Sequence, residues 1–258
     1  YNFDVLASCW IYGTLTIARE LALHQIDVFI RSVGPEFGGL INSIVHRKLT
    51  LAHFMLEALP EYVLHTNRGY LDKVIEAVIS SNFWDLLDKI YHMYPILPYH
   101  EYLPLIARKG SVSGLRVLHL EARKNPNEVI HIAAVCGHLD LLKELDSMGL
   151  LTSNVRLNEA GQTIAHVSAA SEHLECFKYI LDQYSAARID ILNFYDFGGY
   201  LPIHEEALNR SEDILLEIVK RNARYTPPPG FRFNLFISSL GKSPLELAVL
   251  NNCFDNVR

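Results

Sequence analysis

One short pattern returns along the second half of this 258-residue chain, and its spacing limits the fold more than any other feature. It reads Ile130-His131-Ile132-Ala133-Ala134-Val135-Cys136-Gly137-His138, then Gly161-Gln162-Thr163-Ile164-Ala165-His166-Val167-Ser168-Ala169. A third copy is Gly199-Tyr200-Leu201-Pro202-Ile203-His204-Glu205-Glu206-Ala207, and a worn fourth is Gly241-Lys242-Ser243-Pro244-Leu245-Glu246-Leu247-Ala248-Val249. The histidines lie 35 and then 38 residues apart, and Glu246 takes their slot 42 residues after His204. A unit of that length leaves an apolar face that only a neighbouring copy can cover, so the copies have to stack.

The period and the T-P-L-H-x-A core resemble the ankyrin repeat over residues 127–209, more weakly over 241–258 and faintly before 125. Asn193, Asp196 and the glycines that follow fit that family's hairpin finger, because Asp accepts local N–H bonds and Gly tolerates positive φ. Pro202 and Pro244 suit the first position of an inner helix, where a missing N–H costs nothing. The fold class expected is all-α: a helical solenoid of ankyrin repeats with short β-hairpin fingers, preceded by degenerate helical pairs. The family binds other proteins, so the resemblance implies a protein or peptide partner and no cofactor.

Four positions depart from the family pattern. Asn158 and Val155 replace the usual Asp and Asn of the second finger, and Arg210 replaces the glycine ending the third inner helix. Glu206 replaces an alanine that lets helices approach closely, so that repeat is expected to be opened or tilted.

Residues 1–125 read as helical, interrupted by turn signals such as Gly34-Pro35 and the 95–104 stretch. Val78 to Leu87 overlays Ala133 to Leu142 without a gap, Ile106 to Ser111 overlays Ala133 to His138, and Ile44 to Leu49 is a fainter copy. These echoes recur about every 28 residues, short of a full repeat by roughly one finger. Two organisations fit: helical pairs on the same solenoid, or a separate helical cap. The division expected is 1–125 for degenerate pairs and 126–258 for ankyrin repeats, with an insertion at about 224–240. The chain starts without methionine and stops inside the last outer helix, which reads as a fragment.

A net charge of −6 and a pI near 6.1 supply no global basic field for nucleic acid or anionic lipid. Residues 5–18 are uncharged but too short to span a bilayer, and they lack a basic flank, so a buried helix is expected. Cys9, Cys136, Cys176 and Cys253 form no C-x-x-C pair, which favours buried apolar thiols in a reducing compartment.

His131, His166 and His204 could be offered as a metal triad, but one per repeat matches the family's structural histidine, which hydrogen-bonds backbone between neighbours. His138 and His173 fall at the family's G-H position, where the ring sits beside an adjacent repeat. No zinc spacing such as H-E-x-x-H occurs, and no nucleotide or nucleophile-elbow motif supports an enzyme. Cys136 beside His131 or His138 lacks a third orienting group.

The resemblance places partner contacts on a comb of finger tips and inner-helix positions. Residue by residue, these are Glu159, Gln162, Phe197, Tyr200, Leu208, Asn209 and Lys242. Phe197 and Tyr200 could equally pack against the neighbouring finger or the insertion. The insertion carries Arg224, Phe231, Arg232 and Phe233, which either contact an acidic partner or fold over the solenoid. Between 218 and 245 there are five basic residues and no acidic one. Nucleic-acid binding is a poor fit, because five charges beside an acidic body give a weak phosphate footprint.

The function expected is non-catalytic recognition of a protein or peptide in the concave groove. One rival is a ubiquitin-ligase adaptor, because Leu59-Pro60-Glu61-Tyr62-Val63-Leu64 resembles an F-box helix start. Another is the recognition part of a larger enzyme. Divergent copies behind an unusual helical half also resemble ankyrin effectors that bacteria deliver into host cells, which would place the protein in a host cytosol.

Overall fold

A helix of one to three turns cannot hold itself together in water, so each short helix of this chain depends on the neighbour it packs against. The computed structural model describes residues 10, 15–35, 38–59, 67–152, 158–207, 212–223, 241 and 243–250. Those residues are mostly helical and contain no β-strand. They fall into two compact units, Tyr1–Tyr102 and Leu103–Arg258.

In the first unit the helices are α1 (Leu15–His24), α2 (Ile26–Val33), α3 (Gly39–Val45), α4 (Leu49–Ala58), α5 (Arg68–Ser81) and α6 (Trp84–Met93). A 3₁₀ turn at Tyr99–Tyr102 ends it. Here α3 pairs with α4, α5 pairs with α6, and α3 lies along α5. Phe29, Leu40, Ile44, Met55, Leu71 and Ile75 are fully buried between them. The buried Tyr70 hydroxyl donates to the Val33 carbonyl at 2.7 Å, which gives its polar end a partner inside the core.

The second unit contains α7 (Leu103–Arg108), α8 (Val112–Val117), α9 (His119–Lys124), α10 (Pro126–Val135), α11 (Leu139–Ser147), α12 (Ile164–Ala169) and α13 (Leu174–Ala186). It continues with a 3₁₀ turn at Ile191–Asn193, then α14 (Pro202–Ala207), α15 (Glu212–Ala223) and α16 (Pro244–Leu250). The inner helices α7, α10, α12, α14 and α16 each pack on the next, and so do the outer helices α8, α11, α13 and α15. That order is a helical solenoid. Between α8 and α10 the connection is itself helical, so α9 stands where later repeats carry a finger.

Polar contacts tie successive outer helices together. Arg116 grips Glu144 with two N–H bonds at 2.7 and 2.9 Å. The Tyr179 hydroxyl donates to Asp146 at 2.9 Å, and the buried Tyr184 hydroxyl donates to the Leu151 carbonyl at 2.8 Å. Arg221 reaches Asp182 at 2.8 Å.

Inner and outer helices are joined by one repeated turn. Arg47, Asn82, Gly110, Gly137 and Glu172 all adopt left-handed φ between 58° and 72° at the same register. At the first four the N–H returns to the carbonyl three residues back, and the next N–H returns five residues back, as in Gly137 to Ala134 and His138 to Ala133. This shared closure explains why Ile44, Val78 and Ile106 carry echoes of the repeat. The degenerate pairs keep the turn and lack the finger.

Two of these turns require glycine twice over. A Cβ on Gly110 would lie 2.5 Å from the His138 ring, and one on Gly137 would lie 2.5 Å from the His173 ring. Each ring of the G-H pair therefore packs on the preceding repeat's glycine, and the His138 Nε2 meets the Arg108 carbonyl at 2.8 Å. We expect Gly137→Ala to destabilise the fold by about 2–3 kcal/mol, measured by urea unfolding, since it adds left-handed strain to a clash with a ring. Glu172→Gly, which removes strain where the chain tolerates a side chain, should stabilise by about 1 kcal/mol.

Candidate functional site

Thr163, at the start of α12, has its N–H aimed at the His166 Nδ1 at 3.1 Å, with its hydroxyl 2.9 Å from the same nitrogen. The Thr163 side chain in turn accepts from the His166 backbone, which closes a capping box. His166 Nε2 faces the Tyr200 carbonyl of the next repeat at 2.9 Å. A carbonyl only accepts and a backbone N–H only donates, so the two partners fix the tautomer with its proton on Nε2. Both residues are fully buried.

The same slot is used differently elsewhere. His204 Nδ1 accepts from the Leu201 N–H at 2.9 Å, which repeats the capping half of the role. Glu246 accepts from the Ser243 N–H at 2.7 Å and from its hydroxyl at 3.0 Å, a Ser-x-x-Glu capping box in place of the imidazole. His131 does not fit the expectation of a structural link. Its helix begins five residues earlier at Pro126, so it sits mid-helix, with burial pushing its pKa down against the opposing pull of Glu128.

The two described finger tips are hydrogen-bonded turns. Asn158 Oδ1 accepts from the Gln162 N–H at 3.0 Å, and Asp196 Oδ1 accepts from the Tyr200 N–H at 2.8 Å. Asn158 thus does the work of the family's aspartate. Asp196 also donates its N–H to the Tyr200 carbonyl at 2.9 Å, so that oxygen serves both the turn and His166. The Phe197 N–H donates to the Ala160 carbonyl at 2.8 Å and joins one tip to the next. The tips are too short for a strand ladder, and turn bonds satisfy the backbone instead.

Among the expected contact residues, Glu159 is exposed and Phe197 is 71% exposed. Gln162 is half-buried: its side chain accepts from Asn158 at 2.8 Å and donates to Glu205 at 3.1 Å. Tyr200 packs on the buried cluster of Ala207, Leu247 and Ala248 and sits edge-on to His204. Leu208, Asn209, Lys242, Arg224, Phe231, Arg232 and Phe233 lie outside the described residues. Sequence reasoning missed Tyr195, which is 47% exposed beside Phe197. The alternation Tyr195-Asp196-Phe197, with the aspartate turned inward to cap the turn, was the available signal.

The second unit thus combines stacked helical pairs, turned fingers and a capping histidine that reaches the next repeat. The family model described as ankyrin repeats (three copies) matches residues 103–193 and again 130–228. The chain is an ankyrin-repeat protein. No curated protein matches it. Ankyrin repeats are protein–protein interaction modules and the family is generally non-catalytic. The match starts at α7, so the finger-less pair α7/α8 belongs to the ankyrin array.

The described residues hold no group of three His, Cys, Asp or Glu placed to bind a metal ion, and none of their helices is long and apolar enough to cross a membrane. Cys176 is buried, and burial pushes its thiol pKa up, which opposes thiolate formation; Cys136 is half-buried. Leu59, the first residue of the F-box-like stretch, caps the end of α4 and is buried, and residues 60–64 lie outside the described residues.

Glu206 occupies the alanine slot of the third repeat and is fully buried. The α14 helix still packs on both α12 and α16, so the repeat stacks with its neighbours despite the larger side chain. Burial, reinforced by Glu172, pushes the Glu206 carboxyl up to about 8. The folded protein then holds this proton more tightly than the unfolded chain does. The contribution is most favourable below about pH 4.5 and is lost as pH rises to about 8. Glu206→Gln should flatten the pH dependence of the melting temperature across that window and stabilise the protein at pH 8 by roughly 2–4 kcal/mol.

Proposed function

We propose that the repeats hold a protein or peptide partner against the finger tips and inner helices, with Phe197 as the apolar anchor. The observation that carries this reading is that Phe197 exposes 71% of its surface while its backbone is fixed to the neighbouring tip through Ala160. A large aromatic held rigidly in water loses little entropy on binding, and interface hot spots favour such groups. Glu159 stands beside it on the second tip. Gln162 and Tyr200 act through the scaffold: one bridges two repeats, and the other fills the space between α14 and α16. The same reading counts Leu208, Asn209 and Lys242 among the partner contacts. Residues 126–258 then form the recognition part of the second unit.

The adaptor reading is disfavoured because Leu59 is buried in the first unit and cannot serve as an exposed docking leucine. The effector resemblance bears on where the module would act, the host cytosol, and changes none of these contacts.

Placing a photo-crosslinking amino acid at 197, and separately at Lys143 on the outer helix α11, tests this surface in cell lysate. Adducts to a protein are expected from 197 only. Adducts from 143 alone would move the working surface to the outer helices. Phe197→Ala should remove the adduct-forming partner from a pull-down with the melting temperature unchanged to within about 2 °C, since the residue is exposed.

A further inference from the structure

From α10 onward the described finger tips and inner helices differ in charge from the outer helices. Over residues 126–136, 158–171, 190–207 and 243–250 there is no lysine or arginine, whereas the preceding inner helix α7 ends in Arg108. Besides the buried Glu206, these segments carry Glu128, Glu159, Asp190, Asp196, Glu205 and Glu246. The outer side carries both signs and pairs them: Lys143 with Asp140, Lys178 with Glu175, and Arg221 with Asp182 and Glu217. Glu128, Glu159 and Asp190 make no ion pair among the described residues, while the Asp196 and Glu205 carboxylates accept from the Tyr200 N–H and the Gln162 side chain. The same face presents Tyr195 and Phe197, at 47% and 71% exposure, and the bond from Phe197 N–H to the Ala160 carbonyl sets Glu159 beside them.

We propose that this face takes an extended, lysine- and arginine-rich segment of a partner protein, with a guanidinium seated on the Phe197 and Tyr195 rings and neighbouring cations on Glu159 and the adjoining carboxylates. This rests on the reading of the finger side as the working surface and adds the chemistry of its partner. A guanidinium is the one side chain that both stacks on an aromatic face and bonds a carboxylate, so the juxtaposition selects it over an apolar or acidic segment. Carboxylates that lack a cationic neighbour steer a cationic chain toward their face and repel an anionic one.

The test is fluorescence anisotropy with the full chain and a labelled 12-residue peptide alternating arginine and leucine, against the same peptide with glutamate in place of arginine. The arginine peptide should bind at least tenfold more tightly than the glutamate peptide at 150 mM salt, and weaken several-fold at 500 mM. Glu159→Lys and Phe197→Ala should each weaken it at least fivefold, while Glu175→Lys on the outer helix leaves it within twofold. Equal binding of the two peptides overturns the proposal. Equal losses from Glu175→Lys and Glu159→Lys also overturn it, because binding would then follow net charge alone. If neither peptide binds while crosslinking from 197 still captures a protein, the finger surface stands and the cationic partner falls. If the arginine peptide binds but Phe197→Ala has no effect, the aromatic seat is wrong.

Discussion

The His166 imidazole is held at both nitrogens, by Thr163 inside its own repeat and by the Tyr200 carbonyl in the next, and the third finger hangs from the second of these contacts. Tyr200 is also where the Asp196 turn closes, since its carbonyl takes the Asp196 N–H and its own N–H goes to the Asp196 carboxylate. One buried side chain thus sets the start of α12 and the place of the following tip. Burial raises the cost of losing either bond, because an orphaned carbonyl or N–H in that position has no water to turn to. The finger side is fixed by polar contacts of this kind, and the helices behind it by apolar packing together with pairs such as Arg116 with Glu144. A solenoid built this way passes geometry from neighbour to neighbour only.

That division of labour leaves the exposed tips open to change. Phe197 and Glu159 contribute little to the core, so their chemistry can answer to a partner. Gln162 and Tyr200 occupy nearby positions yet are committed to the scaffold. Glu206 shows the opposite case, a charged type placed where the fold asks for alanine. Burial answers by raising its pKa rather than by opening the stack.

Much of this was legible in the sequence because the helix starts are local. Thr163 to His166 and Ser243 to Glu246 are spacing signals, and Gly110 and Gly137 mark turns that need positive φ. The echoes before 125 were faint because Arg47 and Asn82 keep the turn without the glycine. His131 misled because its helix starts upstream at Pro126, and helix starts set by a preceding helix leave no motif at the histidine. Gln162 and Tyr200 match the family's contact positions, and only side-chain direction shows that they turn inward. The absence of cations from the described inner helices and tips after α7 was present in the sequence but invisible until the helices were sorted into inner and outer rows.

Amide hydrogen exchange on His166→Ala tests most directly whether one imidazole positions the finger. The account predicts that the amides of Asp196, Phe197 and Tyr200 exchange at least about tenfold faster, while those of Ile180 and Leu181 in α13 keep their protection. Unchanged protection at Phe197 and Tyr200, or an equal loss in α13, would contradict it.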